Sequence, residues 1–275
     1  MDTDDPIEKG KAAIVGELVK EVAKSPKVRE AGDQIAQTVL TISKTINVCL
    51  LPIAAVNFGY EKAREYFMNC FSKDFENKTK SIPKECVVEP KISIVGPALQ
   101  GLAFSCEEDE LKSMYISLIA AAIDVRKAQD VHPAFIEIVR QITAKEAILL
   151  QTVLSLDIMP IAQLILHDGE DGRFLVMTRH LMSVAVYTEG SNEQNIVEQS
   201  MVENWIRLGL VEVSYEDLLA TRAYYDFVKG APKYLELHKV HGDRLTVGQG
   251  VLSRTSFGEK FARSVGILPD LNFIA

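Results

Sequence analysis

The segment Thr45–Tyr60 (TINVCLLPIAAVNFGY) constrains the fold of this chain most, because its 16 residues carry no charged side chain. As an α-helix it would span roughly 24 Å, which is short of the ~30 Å hydrocarbon core of a bilayer, and Pro52 interrupts it. We therefore expect the segment to be buried against neighbouring helices, as a helical hairpin or a kinked core helix. An interfacial or conditional membrane segment is the alternative, and a true membrane span is a further one.

Sequence patterns that predict helices occur on both sides of this segment. Residues 6–24 and 33–71 have aliphatic side chains at helical spacing, the second range with a break at its proline. Ser105–Glu108 has the form of a capping box and predicts a helix to about residue 124, and Thr143–Glu146 predicts another to about residue 156. Between them, His132-Pro133 predicts a helix start with the histidine as cap and the proline in the first turn.

A polar stretch and a later change of pattern suggest the domain organisation. Residues 72–90 are polar and contain prolines, which predicts a loop near 72–90. We predict a helical domain at 1–142 and a second domain at 143–275. In the second, Ile161–His167 and Arg173–Thr178 are apolar runs around an acidic, glycine-containing turn, which is typical of a β-hairpin or a loop between short strands.

The last third of the chain has helix and strand signals in the order of a winged helix. Ser191–Gly209 and Ser214–Lys229 predict helices that begin at serine caps. Arg244–Arg254, with Gly248-Gln249-Gly250 at its centre, predicts a second β-hairpin, and Ser256–Val265 predicts a final helix. The expected fold class is therefore mainly α (α+β), an N-terminal helical bundle followed by a winged-helix-like module with short β-hairpins.

The charge distribution disfavours DNA as the ligand of that module. The chain has 30 Lys+Arg against 38 Asp+Glu, a net charge of −8, and residues 143–275 carry 12 basic and 17 acidic side chains. The predicted recognition helix, Glu193–Leu208, is acidic and would be repelled by phosphates. The predicted wing is basic, and its four cations are the nucleic-acid candidates: Arg244, Arg254, Lys260 and Arg263. We expect a structural or protein-contacting module, with DNA binding as the alternative.

No residue pattern indicates a metal, cofactor or catalytic site. The four cysteines lie 21, 16 and 20 residues apart with no CxxC pair, which disfavours zinc. His238 and His241 have helical spacing but lack a third ligand, so we expect an exposed polar loop there. The acidic turn at His167–Gly172 lacks the ligand periodicity of an EF-hand. We predict no cofactor and no metal, and no enzyme activity can be tied to named residues; a hydrolase whose site is assembled only by the fold is the last alternative.

Several short motifs occur in a fixed order along residues 33–265. They are Leu51-Pro52, FGYEKAREYF at Phe58–Phe67, Glu89-Pro90, Gly96–Leu99, Glu110-Leu111, Leu118–Asp124, His132–Phe135, Ala144–Leu149, NWIRLGLVEV at Asn204–Val213 and TSFGEKF at Thr255–Phe261. In their order and spacing the chain resembles the abortive-infection alpha (Abi-alpha) family of bacterial phage-defence proteins. Ile123 departs from the family pattern, in which methionine more often precedes the aspartate, and this exchange conserves volume. The resemblance implies antiviral defence, often by halting growth of the infected cell, and supplies no catalytic residues.

We therefore expect a bacterial antiviral protein that acts by abortive infection in the cytoplasm. Its start, MDTDDPIEKG, is acidic and no apolar signal region follows it. The first expected mechanism is an interaction protein that binds a phage or host component, with homo-oligomerisation open. The second is an effector that perturbs the membrane through Thr45–Tyr60 on activation, and the third is a winged-helix DNA-binding regulator.

Overall fold

The computed structural model describes residues 38, 41–46, 57–168, 172–188 and 191–269. These residues form two compact units. The first, here called the N-terminal unit, runs to Ala144 and includes Ser264–Gly266; the second, the C-terminal unit, comprises Lys145–Arg263 and the residues from Ile267. The helix predicted at 6–24 and most of Thr45–Tyr60 lie outside the described residues. The domain division predicted at residue 142 stays a prediction.

The N-terminal unit is helical. Residues 41–46 are helical, and five helices follow in the described chain: α1 (Asn57–Asn69), α2 (Phe71–Thr79), α3 (Ile92–Phe104), α4 (Asp109–Ala122) and α5 (Pro133–Arg140). Pro133 is the first residue of α5, and Nδ1 of His132 accepts a hydrogen bond from the N–H of Ala134 at 3.1 Å. The helix start predicted at His132-Pro133 is therefore confirmed.

The loop predicted near 72–90 is wrong over its first part, because α2 occupies Phe71–Thr79. Phe71 is buried, and its ring stacks on that of Phe75, four residues on, with the centroids 5.5 Å apart. This aromatic pair on one helical face supports a helix in a stretch that is otherwise polar. Residues 80–90 are irregular apart from a short 3-10 turn at Lys84–Cys86.

Helix α4 lies at the centre of the N-terminal core. Every residue from Met114 to Ala122 is buried, and α4 packs against α3 and α5. The capping box predicted to open this helix is wrong in detail, because Glu108 is the N-cap residue and its side chain makes no capping hydrogen bond. Ser105 instead ends α3, where its N–H bonds the carbonyl oxygen of Gly101 at 3.1 Å.

A short backbone clasp joins the chain before α3 to the chain after α4. Val87 and Asp124 form an isolated antiparallel bridge. Two hydrogen bonds of 2.8 Å flank it, from the N–H of Val88 to the oxygen of Ile123 and from the N–H of Val125 to the oxygen of Cys86.

The side chain of Asp124 completes this clasp. It is fully buried, and its carboxylate accepts three hydrogen bonds from Arg126: from N–H at 3.1 Å, from Nε at 2.8 Å and from Nη2 at 2.6 Å. Burial acts to raise the pKa of this carboxyl, but the hydrogen bonds and the positive charge of Arg126 outweigh it, and the pKa is lowered. Asp124, a residue of the family-like motif, therefore has a structural role as a paired buried anion.

The C-terminal unit is built on antiparallel strands. From Ala144 onward the elements are α6 (Ala144–Val153), β1 (Ile158–Asp168), β2 (Arg173–Leu181), β3 (Ser183–Thr188), β4 (Ser191–Ile196), α7 (Gln199–Arg207), β5 (Val211–Ser214), α8 (Phe227–Gly230), α9 (Pro232–His241), β6 (Leu245–Arg254) and α10 (Ser256–Ser264). Four strands form one curled antiparallel sheet in the order β2-β1-β6-β5, and β3 pairs with β4. The hairpin predicted between Ile161 and Thr178 is confirmed as β1 and β2.

Helices α8 and α9 cover one part of this sheet. Their buried residues form a common apolar cluster with three strands, made of Ala162, Leu164, Leu181, Val228, Ala231, Leu237 and Leu245. Residues of β1, β2 and β6 therefore owe their burial to helices that follow β5 in the chain. The fold class is α+β, as expected.

The second predicted hairpin is wrong, because Leu245–Arg254 is one continuous strand that pairs with both β1 and β5. The glycines that suggested a turn instead allow neighbouring groups to pack closely against the strand. A Cβ atom on Gly250 would lie 2.6 Å from the carbonyl oxygen of Ser214 and 2.6 Å from the ring of Tyr215. The wing of the predicted winged helix is therefore absent from this described part of the chain.

One predicted helix of the C-terminal unit begins later than expected, and the helix predicted over Ser214–Lys229 is wrong over most of its range, since only a 3-10 turn at Arg222–Tyr225 and α8 at Phe227–Gly230 are helical there. Ser191–Ile196 is strand β4, whose residues pair with β3, so the helix in that region starts only at Gln199. Ser214 ends β5, and its hydroxyl accepts hydrogen bonds from the N–H groups of Glu216 and Asp217, both at 3.2 Å. The serine thus makes a local turn, which satisfies the same backbone donors that a helix cap would have satisfied.

Among the described residues, none of the helices has the length and apolar character needed to cross a membrane.

Candidate functional site

Two of the predicted nucleic-acid cations, Arg254 and Arg263, bind groups within the protein. Arg254 is the clearer case: its side chain is 9% exposed, and its guanidinium donates hydrogen bonds to the carbonyl oxygens of Leu154 and Leu156, at 2.6 and 3.1 Å, and to the carboxylate of Asp157. These carbonyls belong to the turn between α6 and β1. Arg254 therefore holds that turn against the end of β6.

Arg263 is also engaged within the C-terminal unit. Its Nη2 lies 2.7 Å from Oε1 of Glu259, one helical turn earlier, and its Nη1 donates to the carbonyl oxygen of Pro269. The hydrogen bond from Arg263 is the main cause of the lowered pKa of Glu259. The other two candidates, Arg244 and Lys260, are exposed and lie on different elements, the 3-10 turn Gly242–Arg244 and α10.

The two histidines predicted to lie in an exposed loop lie in α9 and are partly buried. The ring of His238 stacks on that of Tyr234 with the centroids 5.3 Å apart. The expected loop is wrong because this stack and the buried Leu237 hold the segment on the sheet as a helix. Within the described residues, no group of three histidine, cysteine or acidic side chains is placed to hold a metal ion.

A histidine and a tyrosine meet at a distortion of the β1–β2 ladder. His180 has a left-handed backbone with φ of 55°, where the register between β1 and β2 shifts. Its N–H donates to the hydroxyl of Tyr215 at 2.9 Å, and the same hydroxyl lies 3.2 Å from Nδ1 of His180. Burial lowers the pKa of His180 and raises that of Tyr215. The pair therefore connects β2 to Tyr215, the residue that follows β5, across 35 positions of the chain.

The N-terminal unit contains a cavity of about 560 Å³, here called the α3–α4–α5 cavity. It lies between the last turn of α3, the first half of α4 and the residues that end and follow α5. Its apolar lining residues are Phe104, Leu111, Val139 and Ile142, and its polar ones are Gln100, Ser105, Glu108, Tyr115, Arg140 and Thr143.

Tyr115 forms the buried side of this cavity and is 1% exposed. Gly101 makes room for it, because a Cβ atom there would lie 2.5 Å from Cζ and 2.6 Å from the hydroxyl oxygen of the tyrosine. Burial raises the pKa of Tyr115 to about 12, although the positive charge of Arg140 and a hydrogen bond from it act in the opposite direction. The hydroxyl is therefore a neutral group at physiological pH.

Charges of both signs surround that hydroxyl. Arg140 lies at the end of α5 and Glu108 at the start of α4, and both line the cavity. Arg140 also pairs with Glu137 on its own helix, with 3.3 Å between Nη1 and Oε1. Both acidic groups raise the pKa of Tyr115, whereas the guanidinium lowers it, so all three act on the same oxygen.

Sequence reasoning did not find this cavity. Gly101 and Tyr115 lie on different helices, and no local spacing connects them. One signal was present, since glycine within an apolar helix costs about 1 kcal/mol relative to alanine and indicates close packing. The partner of that glycine becomes evident only from the tertiary structure.

The edge of the four-stranded sheet is a second candidate surface. Among the described strands, β2 pairs with β1 alone. Phe174 and Leu175, at the start of β2, are 64% and 59% exposed. Adjacent residues of a strand point to opposite faces, so both faces of β2 are open to solvent here. Toward the other end of the strand Leu181 is buried, and α7 packs against β2. We call the exposed part the Phe174-Leu175 edge.

Comparison with known proteins gives a family match. A family model described as abortive infection alpha matches residues 63–265, which is most of the chain. The match includes both units, the α3–α4–α5 cavity and the Phe174-Leu175 edge. Searches of curated proteins and of solved structures return no match.

Proposed function

Because the chain belongs to the abortive infection alpha family, we propose that it acts in abortive infection through a protein–protein contact at the Phe174-Leu175 edge. Membership of the family implies a role in defence against bacteriophage. The proposal concerns the mechanism, and the observation that carries it is the exposure of two adjacent apolar side chains on an edge strand.

Edge strands of this kind are unusual on a protein that remains monomeric. Such a strand presents backbone N–H and C=O groups that another strand can pair with, and proteins commonly protect these edges with charges, proline or bulges. At the start of β2, Arg173 is the one charged residue, and the two positions that follow it carry exposed large apolar side chains. The open backbone groups and the two exposed apolar side chains together make the start of β2 suited to a contact with another strand.

The partner that suits this surface is a protein segment in extended conformation. It would add a strand beside β2, so that main-chain hydrogen bonds provide affinity. Phe174 and Leu175 would contact its side chains on the two faces of the extended sheet and provide specificity. A phage protein or a host protein could supply such a strand, and we place the interaction in the cytoplasm.

The experiment is a phage plaque assay on cells that produce a double variant, Phe174→Ser with Leu175→Ser. The matched control is Leu235→Ser with Val240→Ser, which removes two exposed apolar side chains from α9. We expect the first variant to lose protection and the control to keep it. Both should reach wild-type abundance and melting temperature, because exposed side chains contribute little to stability. Full protection by a folded β2 double variant would refute the proposed contact.

Two alternatives rest on other residues. A DNA-binding regulator with a winged-helix-like module would present Arg244 and Lys260 to the DNA, because these two side chains are exposed. A membrane-perturbing effector would use Thr45–Tyr60, of which residues 47–56 lie outside the described chain. Protection that survives the β2 double variant but is lost on removing the two exposed cations would favour the first alternative.

A further inference from the structure

The α3–α4–α5 cavity has the dimensions of a small-molecule site. Its volume of about 560 Å³ lies within the range of roughly 300–1,000 Å³ that such sites occupy. Its lining combines apolar walls with a few polar groups, and this is the usual composition of a specific ligand pocket. Phe104, one of its lining residues, is 67% exposed, so this residue is accessible to an entering molecule.

The charges in the lining restrict the class of molecule. A ligand with only negative charge, such as a phosphate ester, could pair with Arg140 but would meet Glu108 and, beside the cavity, Glu137. A ligand with only positive charge would meet Arg140. A purely apolar ligand would shield Glu108 and Arg140 from water without offering either of them a new partner, which is unfavourable.

Arg140 retains the capacity to bind a carboxylate. A guanidinium has five N–H donors; the ion pair with Glu137 uses Nη1, and the hydroxyl of Tyr115 accepts one further N–H, which leaves donors for a ligand. That pair is loose and exposed, with N–O distances of 3.3 and 3.5 Å. Such pairs contribute little, so a ligand carboxylate can compete with Glu137 for the guanidinium.

We propose that the α3–α4–α5 cavity binds a small zwitterion with an apolar side chain, namely a free α-amino acid or a short peptide. The carboxylate of the ligand pairs with Arg140, and its ammonium group pairs with Glu108. Its side chain lies against the apolar wall formed by Phe104, Leu111 and Ile142. This site and the Phe174-Leu175 edge have no residues in common.

Isothermal titration calorimetry with the full chain tests this assignment. The probes are leucyl-phenylalanine, its C-terminal amide, its N-acetyl derivative, free phenylalanine and adenosine monophosphate. We expect the zwitterionic dipeptide to bind at least about tenfold more tightly than either derivative, because each derivative lacks one charged hydrogen-bonding group. The comparison with free phenylalanine distinguishes a peptide from an amino acid as the preferred ligand.

Two variants then assign each end of the ligand to a residue. Arg140→Met should remove the difference between the dipeptide and its amide, and Glu108→Gln should remove the difference between the dipeptide and its N-acetyl form. Lys145→Met, which alters an exposed cation outside the cavity, should change neither comparison. If a variant fails to fold, the wild-type comparison of the derivatives decides alone. The proposal is overturned if neither the dipeptide nor free phenylalanine binds at millimolar concentration, if the dipeptide and its two derivatives bind equally, or if adenosine monophosphate binds more tightly than both.

Discussion

We predict that Asp124→Asn lowers the free energy of unfolding by about 2 kcal/mol at neutral pH. The carboxylate is fully buried and accepts three hydrogen bonds from Arg126. An asparagine can keep the two bonds to Oδ1, but its amide nitrogen would face Nη2 of Arg126, which is also a donor. The variant therefore loses a charge-assisted hydrogen bond of 2.6 Å, and bonds of this kind contribute about 1.5–3 kcal/mol.

The pH dependence of this difference gives an independent check. The pKa of Asp124 is lowered in the folded protein, so its stabilising contribution is complete above the unfolded value of about 3.9 and is lost as the pH falls through the folded value. Asparagine does not titrate. The gap between wild type and Asp124→Asn should therefore shrink below about pH 3.9.

Urea unfolding followed by far-ultraviolet circular dichroism measures both quantities. Glu137→Gln is the matched control, because it makes the same carboxylate-to-amide change in an exposed ion pair with 3.3 Å between its atoms. We expect that control to change stability by less than about 0.5 kcal/mol. An Asp124→Asn variant as stable as the control, or a stability gap that is unchanged in acid, would show that the buried ion pair does not support the clasp.

Two further pairs of variants and one binding measurement test other parts of the structure. Gly258→Ala should destabilise the C-terminal unit by several kcal/mol, because the added Cβ would lie 2.0 Å from the carbonyl oxygen of Leu210. The control is Gly230→Ala, which has no atom within 4 Å of the added Cβ and should stay within about 1 kcal/mol of wild type; thermal unfolding measures both. Arg254→Met should lower the free energy of unfolding by about 2 kcal/mol, because it removes hydrogen bonds to carbonyl oxygens. Arg244→Met, at an exposed position, should lower it by less than about 0.5 kcal/mol, and equal melting temperatures of the two variants would contradict these roles. Duplex DNA should bind only weakly at physiological salt, because residues 143–275 carry 12 basic against 17 acidic side chains; a sub-micromolar, sequence-selective dissociation constant in a fluorescence titration would support the regulator.

Sequence patterns predicted the fold correctly where the interaction that they indicate joins residues close together in the chain and is present in the structure. The cap at His132 and the proline after it act within one helical turn, so sequence alone located the start of α5. Glycine signals were ambiguous, because Gly250 is required for contact with Tyr215 and not for a turn. The serine at position 214 satisfies backbone N–H groups in a turn as well as it would in a helix cap, and sequence cannot separate these outcomes.

The candidate sites depended on longer-range packing and were less predictable. Charge counting identified Arg254 as a candidate for binding nucleic acid, yet the fold directs it at the carbonyl oxygens of a distant turn. The cavity beside Tyr115 is made by three helices whose contacts no spacing rule encodes. The family motifs were recognisable because they occur in the expected order along the chain. At least one of their residues, Asp124, has a structural role as a buried, paired carboxylate.

The clasp between residues 86–88 and 123–125 also determines how the N-terminal unit opens. It fastens the chain before α3 to the chain after α4, so these two helices form a loop that is closed at its own base. Segments of this kind tend to open as a single cooperative unit, and their amide hydrogens are then exposed to solvent by the same opening event. Native-state hydrogen exchange should therefore find α3 and α4 sharing one opening free energy. Breaking the hydrogen bonds of Asp124 should accelerate exchange throughout both helices, while amides in β1 and β6 keep their protection.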